Sequence, residues 1–244
     1  MRIKNIDLEN FKPLVCVPVV DSTIGDSLET AKCLVSDNVE VIEWRLDYLK
    51  ELSDIDALLE GLNKMSKICK DTILIGTIRS IEEGGKSELK EVDVTNYLYK
   101  IAETKTCDFV DMEYYTYDRP KNVISKLKEM GQKVICSHHD FDETPDDEVI
   151  FTLLEEMESS ECDIVKMAVM PRTTTDVTRF MDICNSFSLE TDKLTITMSM
   201  GSLGKASRFA GNVTGSCITF GSFNESSAPG QIDYKRLKEI INQG

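Results

Sequence analysis

Lys166 stands in the middle of a short apolar segment, CDIVKMAVMP, that spans residues 162–171. The Val and Ile content of this segment predicts a β-strand. A lysine ammonium inside such a strand costs several kcal/mol unless it is paired with an acid or gives up its proton. A neutral lysine amine can attack a ketone and form a Schiff base, and the resulting iminium acidifies the neighbouring carbon. Lys166 therefore predicts proton transfer next to a carbonyl group, a class of chemistry that includes aldol cleavage and dehydration.

Ionisable side chains are concentrated at the ends of five successive apolar segments. Each residue taken alone is more often part of a surface ion pair or of the structure, but a hydrophobic core has no need of the repeated pattern. If these ends meet in space, they form a polar active site. A histidine there suits proton transfer because its pKa lies near physiological pH. The residues concerned are Glu43, Arg45 and Asp47; Arg79, Glu82 and Glu83; Asp111 and Glu113; Ser137, His138, His139 and Asp140; and Lys166.

The segments that carry these residues alternate between strands and helices. N-cap residues at the start of two helices are predicted to be Ser53 and Thr144. Eight strand–helix units in 244 residues predict an α/β fold, the (β/α)8 TIM barrel, whose active sites lie at the carboxyl ends of the strands. Strands are predicted at 14–20, 39–45, 72–79, 108–114, 133–139, 162–169, 194–199 and 216–220, and helices at 53–70, 93–105, 120–130, 144–159, 176–186 and 233–243.

An open, doubly wound sheet is the alternative fold. It would need a Gly-rich fingerprint after its first strand, and the segment VVDSTIGDS at 19–27 has none. We therefore expect residues 1–244 to form one barrel domain. We also expect residues 1–12 to add a short strand or hairpin that closes the floor of the barrel.

The charge and composition of the chain limit its partners. Its formal net charge is -15, with 43 acidic and 28 basic residues. This charge argues against nucleic acid as a partner but permits a local basic pocket for a small anion. The chain shows no signal peptide and no apolar run of membrane-spanning length, which argues against a membrane partner. The eight cysteines form no CxxC pair and lie in apolar stretches, as reduced core thiols do, so we expect a cytoplasmic protein.

Motifs for metals, phosphates and serine nucleophiles are absent from the sequence. The two histidines are adjacent, and adjacent strand residues face opposite ways, so they do not readily bind one metal. The sequence has no HExxH, no cysteine–histidine cluster and no EF-hand loop. GSLGK at 201–205 lacks the spacing of a phosphate loop, and there is no GxSxG elbow. We expect neither a metal nor an organic cofactor.

Six motifs give the chain a resemblance to a known family. In order, they are EWR at 43–45, RSxxEGG at 79–85, SHHDF at 137–141, KMAVMP at 166–171, SRFAG at 207–211 and SAPGQ at 227–231. Each lies at a predicted strand end or in the loop that follows. Together they resemble the motifs of type I 3-dehydroquinate dehydratases, and the resemblance covers nearly the whole chain.

The resemblance implies a (β/α)8 barrel without a metal or organic cofactor, which dehydrates 3-dehydroquinate to 3-dehydroshikimate by syn elimination. This reaction belongs to the shikimate pathway of aromatic amino acid biosynthesis, and the resemblance suggests a homodimer. Lys166 matches the Schiff-base lysine, His139 the general acid and base, and Glu83 the carboxylate that orients this histidine. The residues implied to bind the anionic substrate are Glu43, Arg45 and Arg79, Arg208 at its carboxylate, and Ser227 and Gln231 in a lid loop.

Two adjacent imidazoles compete for the acid–base role, because the family position occupied by His138 is variable. If Val134 and Cys136 face the helices, His138 faces them too and His139 points into the barrel. This phase and the family motif both favour His139. The loop SFNESSAPGQ at 222–231 contains three Ser and one Gly, which suit a mobile segment, and we expect it to be a lid that orders when substrate binds.

Two other functions are compatible with parts of this pattern. A class I aldolase would use the same barrel and lysine, but such enzymes often bind sugar phosphates through backbone N–H groups of the last two strand loops. Here those loops carry Arg208, Ser227 and Gln231, which suit a carboxylate and hydroxyls better. A non-catalytic barrel that binds a small carboxylate, or scaffolds a partner, would not need Lys166, His139 and Glu83 together.

Overall fold

The computed structural model describes residues 1–10, 12–224 and 227–243 and contains the predicted barrel. An antiparallel hairpin, β1 (Arg2–Ile3) and β2 (Ile6–Asp7), precedes it. All neighbouring pairs in the main sheet are parallel, and a two-residue strand, β11 (Ile232–Asp233), pairs with the last barrel strand. The barrel strands are β3 (Leu14–Val19), β4 (Val41–Arg45), β5 (Ile73–Thr77), β6 (Phe109–Glu113), β7 (Lys133–Asp140), β8 (Ile164–Val169), β9 (Leu194–Ser199) and β10 (Ile218–Ser222).

Helices follow the strands around the outside. They are α1 (Ile24–Ser36), α2 (Ile55–Ile68), α3 (Glu91–Thr104), α4 (Lys121–Glu129), α5 (Asp147–Glu158), α6 (Thr174–Glu190), the short α7 (Gly211–Thr214) and α8 (Tyr234–Gln243). The prediction of a (β/α)8 barrel is therefore confirmed. Helix α1 was not among the predicted helices, although Thr23 caps it by accepting a hydrogen bond from the backbone N–H of Asp26.

The barrel closes between strands that are far apart in sequence. Strand β10 pairs in register with β3, where Ile218 lies opposite Leu14. On its other side, the N–H of Cys217 donates to the carbonyl of Thr195 at 2.8 Å, which joins the start of β10 to β9. Closure brings the carboxyl ends of all eight strands to one face, where side chains from distant segments can meet.

The two faces of each strand separate into two apolar clusters. Residues that point outward, such as Ile42 and Trp44 on β4, pack against the helices. Inward-facing residues near the amino ends of the strands, such as Ile75, Phe109 and Ile164, fill the lower half of the barrel. This packed layer leaves the inward positions at the carboxyl ends for polar side chains.

The hairpin covers the floor of the barrel, as predicted. Ile3 and Leu8 are buried in the inner cluster. Lys4 donates to the carbonyls of Cys69 and Thr72 at 2.7 and 2.6 Å, in the loop that precedes β5. These contacts fasten the hairpin at the end of the barrel opposite the predicted site.

Three details of the sequence analysis are wrong. Helix α2 is capped by Asp54, whose side chain accepts from the N–H of Ala57, and not by Ser53. Helix α5 begins after Asp146, so Thr144 is not its cap. Competing Asp residues one or two positions further on explain both errors, since Ser, Thr and Asp are similarly good caps. Cys33 is exposed on α1 and is no core thiol, whereas the other seven cysteines are buried.

Candidate active site

Lys166 lies at the centre of the barrel and is paired with two acids. Its side chain is only 4% exposed. Its Nζ donates to Asp111 Oδ2 at 3.1 Å and to Glu43 Oε1 at 3.3 Å, and it stands 4.7 Å from the centre of the Phe220 ring. The cost of burying an ammonium is therefore offset by two carboxylates and an aromatic face.

The two carboxylates stay ionised in this buried position. Burial alone would raise the pKa of Glu43, but the charges of Lys166 and Arg45 hold it below its usual value. Burial acts in the same way on Asp111, yet Arg79 and Lys166 together hold the pKa of Asp111 far below its usual range. The site thus keeps two bases within reach of the lysine amine.

Arg79 crosses the barrel and connects the acids of neighbouring strands. Its guanidinium lies 2.8 Å from Asp111 Oδ1, 3.1 Å from Glu113 Oε1 and 3.3 Å from Glu83 Oε2, and it donates to Ser137 Oγ at 3.0 Å. With these partners the pKa of Arg79 is raised despite burial. Burial raises the pKa of Glu113 above its usual value, because one arginine is shared among three acids.

His139 is held by Glu83 in the orientation that a general base needs. Its Nδ1 lies 2.8 Å from Glu83 Oε2. Although burial opposes it, hydrogen bonds from both histidines keep the pKa of Glu83 at about 2, so this carboxylate only accepts. Nδ1 of His139 must then carry the proton, which leaves the lone pair of Nε2 available. Burial, together with the charge of Arg79, lowers the pKa of His139 to about 4, so the imidazole is neutral at physiological pH.

His138 shares the carboxylate of Glu83. Its Nδ1 lies 3.2 Å from Oε1, the oxygen that His139 does not use. Val134 and Cys136 do face the helices, as the phase argument assumed, and His138 packs against a ring outside the barrel. His139 lines the central cavity and His138 does not. Strand alternation thus places only one of the two imidazoles at the cavity, although both share one hydrogen-bond partner.

The charged phase of β4 points inward, as predicted. Arg45 makes two parallel hydrogen bonds with Asp47, from Nε at 2.9 Å and Nη2 at 2.8 Å. Asp47 also accepts from the backbone N–H groups of Arg79 and Lys86, at 3.2 and 3.1 Å. Asp47 therefore joins the end of β4 to the loop after β5, and Arg45 is fixed in a bidentate pair.

The Gly84–Gly85 pair explains how Glu83 reaches the site. Gly84 has a φ of 78°, and a Cβ there would lie 2.2 Å from the Phe141 ring. A Cβ on Gly85 would lie 2.1 Å from the carbonyl oxygen of Arg79. Only glycines permit this tight turn, which folds the loop back so that Glu83 faces His139.

These residues surround a cavity of about 440 Å³, which includes its part open to solvent. Its charged, hydroxyl and amide lining groups suit a small molecule with several polar groups. Eight of the nine predicted site residues line it, and Arg208 does not. The lining residues are Glu43, Arg45, Arg79, Glu83, Gly84, His139, Phe141, Lys166, Ala168, Met198, Met200, Phe220, Ser227, Ala228 and Gln231.

Arg208 lies just behind the cavity wall. It is 1% exposed, and its Nη atoms donate to the carbonyls of Phe220 and Pro229 at 3.3 and 3.1 Å. Within residues 1–10, 12–224 and 227–243, no acid pairs with it, and its Nε has no hydrogen-bond partner. Burial lowers the pKa of Arg208 to about 10. A buried guanidinium that lacks an acid is suited to receive an anion.

The predicted lid loop contacts the rest of the site through its last residues. Ser227 and Gln231 bond to each other, from Ser227 N to Gln231 Oε1 and from Gln231 Nε2 to Ser227 Oγ, both at 2.9 Å. The N–H of Gly201, after β9, donates to the carbonyl of Pro229 at 3.1 Å. Residues 225 and 226 of the predicted lid lie outside the described residues.

Sequence reasoning did not assign a role to several residues that hold the site together. Asp111 pairs with Lys166 and Arg79, and Ser137 donates to Asp111 Oδ1 at 2.6 Å. Both stand on the inward phase of their strands, which was the available indication. No feature of the sequence indicated a role for Phe220, because an aromatic residue in a strand is ordinarily interpreted as part of the core.

Comparison with known proteins gives a consistent result. A sequence model of the family described as Type I 3-dehydroquinase matches residues 15–243. A 3-dehydroquinate dehydratase from Listeria welshimeri is 34% identical over 241 residues, which is 98% of this chain and 96% of the relative. No helix in the described parts of the chain has the length and apolar character needed to cross a membrane.

Two solved structures are similar along the whole chain. The 3-dehydroquinate dehydratase from Geobacillus kaustophilus superposes with a TM-score of 0.95 at 31% identity, covering 100% of this chain and 95% of its own. A type I enzyme of the same name from Clostridium difficile, solved with covalently modified comenic acid, has a TM-score of 0.93 at 33% identity. That match covers 100% of this chain and 96% of the relative.

Proposed function

The chain belongs to the type I 3-dehydroquinase family and is a 3-dehydroquinate dehydratase, a hydro-lyase, and we propose that it works through a Schiff base on Lys166. The observation that carries the proposal is the shared cavity of Lys166 and His139. The lysine and a neutral imidazole, whose Nε2 carries the lone pair, line the same small space. These two groups are what dehydration next to a ketone requires.

The lysine must first lose its proton. Asp111 is also paired with Arg79, whereas among the described residues the carboxylate of Glu43 accepts hydrogen bonds from Lys166 and from Thr77 Oγ1, the latter at 3.1 Å. Glu43 is therefore the better acceptor for the ammonium proton. The neutral amine then adds to the C3 ketone of 3-dehydroquinate to give a carbinolamine. Glu43 returns its proton to the carbinolamine hydroxyl, which leaves as water and gives the iminium.

His139 carries out the elimination. Its Nε2 removes a proton from C2, and the electrons move to the iminium nitrogen to give an enamine. His139 then returns this proton to the C1 hydroxyl, which leaves as water while the new C1–C2 double bond forms. Water hydrolyses the product imine, which frees Lys166 and 3-dehydroshikimate. One imidazole serves both proton steps, as syn elimination requires.

The substrate carboxylate is proposed to bind Arg208. Its two carbonyl partners are weak competitors for a guanidinium that a carboxylate can engage with two hydrogen bonds. Binding there would orient C2 towards His139. We propose that Glu43, Arg45, Arg79, Ser227 and Gln231 contact the substrate, the last two from the lid.

Replacement of Lys166 tests the proposed Schiff base. The experiment compares the wild type and Lys166→Met on 3-dehydroquinate, with absorbance of the conjugated product as readout. We expect a loss of at least about 10³-fold in kcat for Lys166→Met. The matched control is Lys126→Met, on the exposed face of α4, which should keep wild-type activity. Turnover of 3-dehydroquinate by Lys166→Met at the wild-type rate would overturn the Schiff base on Lys166.

The place of the reaction in the shikimate pathway, the homodimer and the cytoplasmic location remain predictions. Sedimentation analysis of the purified chain tests the dimer directly.

A further inference from the structure

The proposed mechanism uses only one of the two histidines of the chain, although both contact Glu83. Oε1 of Glu83 accepts from His138 Nδ1 at 3.2 Å and from Thr116 Oγ1 at 3.1 Å. Oε2 accepts from His139 Nδ1 at 2.8 Å and from Arg79 Nη1 at 3.3 Å. The carboxylate is thus held by one imidazole at each oxygen.

His138 is itself fixed from outside the barrel. Its ring meets the ring of Tyr115 edge to face, with centroids 4.9 Å apart and an angle of 74°. The Tyr115 hydroxyl donates to the carbonyl of Leu153 at 3.0 Å and to Glu156 Oε2 at 3.2 Å, both on α5. The guanidinium of Arg119 also contacts the Tyr115 ring, 5.2 Å from its centre. The imidazole of His138 is therefore oriented by the ring of Tyr115, which is itself held in place by these contacts.

We propose that His138 is a positioning residue for the dehydration, which keeps Glu83 turned so that Oε2 stays aligned with Nδ1 of His139. The inference rests on the proposed function, in which His139 is the base. Because the ionised carboxylate can only accept, His138 donates through Nδ1, and this bond removes one rotational freedom from Glu83. Without it, Thr116 would be the one remaining donor to Oε1 in the described part of the chain.

The same bond adjusts the proton affinity of His139. The charged groups that face His139 are Arg79 on the loop that follows β5, Glu83 further along that loop, Asp111 on β6 and Lys166 on β8. Donation from His138 draws negative charge towards Oε1, which weakens the attraction of Glu83 for a proton on His139. Loss of this donor should therefore raise the pKa of His139 while the other three groups remain in place.

Two substitutions separate the hydrogen bond from the packing. His138→Phe keeps a ring against Tyr115 but has no donor. His138→Asn loses the ring but places an amide N–H close to the position of Nδ1. We expect His138→Phe to lower kcat about 3- to 10-fold, with KM within about twofold, and His138→Asn to restore kcat.

The pKa of His139 gives a readout that a purely structural role would not move. The chain has only two histidines, so ¹⁵N-labelled imidazoles give one resolved pair of signals each. We expect the His139 titration to shift upward by about half a unit to one unit in His138→Phe and to return in His138→Asn. If His138→Phe does not fold, His138→Gln, whose amide reaches the Nε2 position instead, replaces it.

The proposal would be overturned if, in His138→Phe, both the pKa of His139 and kcat equalled the wild-type values. Equal defects in His138→Phe and His138→Asn would overturn it as well, because the hydrogen bond would then not be the cause. The titration of His139 is measured without substrate, so its result does not depend on the proposed catalytic mechanism. If His139→Asn kept full activity, the proposed function would fail while the titration would still decide how His138 acts on His139.

Discussion

Replacing His139 with asparagine should make the protein less sensitive to mild acid. In the fold, burial and the charge of Arg79 lower the pKa of His139 to about 4, against 6.5 for a free imidazole. As pH falls below 6.5, His139 is protonated in the unfolded chain but stays neutral in the folded chain. Stability is therefore lost between pH 6.5 and pH 4, and it is fully present above pH 6.5.

The size of this effect follows from the two pKa values. Below pH 4, where His139 is protonated in both the folded and the unfolded chain, about 3 kcal/mol of the free energy of unfolding at neutral pH has been lost. Between pH 7 and pH 5, it amounts to about 2 kcal/mol. His139→Asn removes the titrating group, and its amide can still donate to Glu83. We therefore expect the free energy of unfolding of the wild type to fall about 2 kcal/mol further than that of His139→Asn over this interval.

Urea unfolding at pH 7, 6 and 5 measures this difference. Trp44 is the only tryptophan and is fully buried between β4 and the helices, so its fluorescence reports the transition. His138→Asn is the matched control. Because it keeps His139, its free energy of unfolding should fall between pH 7 and pH 5 by as much as that of the wild type. Equal falls in the wild type and in His139→Asn would refute the claim that the surroundings of His139 hold it neutral.

Two further predictions concern substrate binding. Arg208→Lys should raise KM by more than about tenfold, because a single ammonium cannot reproduce a bidentate contact with a carboxylate. Steady-state kinetics measures this, with the exposed Arg172→Lys as control, and an unchanged KM would remove the carboxylate anchor. Saturating product should slow amide exchange in residues 227–231, because Ser227, Ala228 and Gln231 line the cavity and the lid is expected to close over a bound molecule. Hydrogen-exchange mass spectrometry tests this, and unchanged exchange there contradicts a lid.

Most of the correct predictions about the strands and the site residues came from strand periodicity. Because side chains alternate across a strand, the apolar and charged phases of β4 correctly predicted that Glu43 and Arg45 point into the barrel. The same rule predicted the inner position of His139. Strand bounds came within a few residues because apolar runs rich in Val and Ile end where the polar active-site residues begin.

Contacts between strands could not be predicted in this way. That Lys166 is paired with Asp111 and Glu43 depends on barrel closure and on side-chain reach, which no local pattern contains. The position of Arg208 behind the wall depends likewise on its contacts with the distant carbonyls of Phe220 and Pro229. His138 shows the limit of alternation, since a long carboxylate side chain in a neighbouring loop can reach both imidazoles.

Reductive trapping tests the central claim most directly. The protein is incubated with 3-dehydroquinate, treated with borohydride, and weighed intact and as peptides, with Lys166→Met in parallel. We expect a stable adduct on the peptide that carries Lys166 in the wild type and none in the variant, because only an imine is reduced to a permanent bond. A folded wild-type protein that forms the dehydrated product but no adduct, or an adduct on another lysine, would contradict the Schiff base on Lys166.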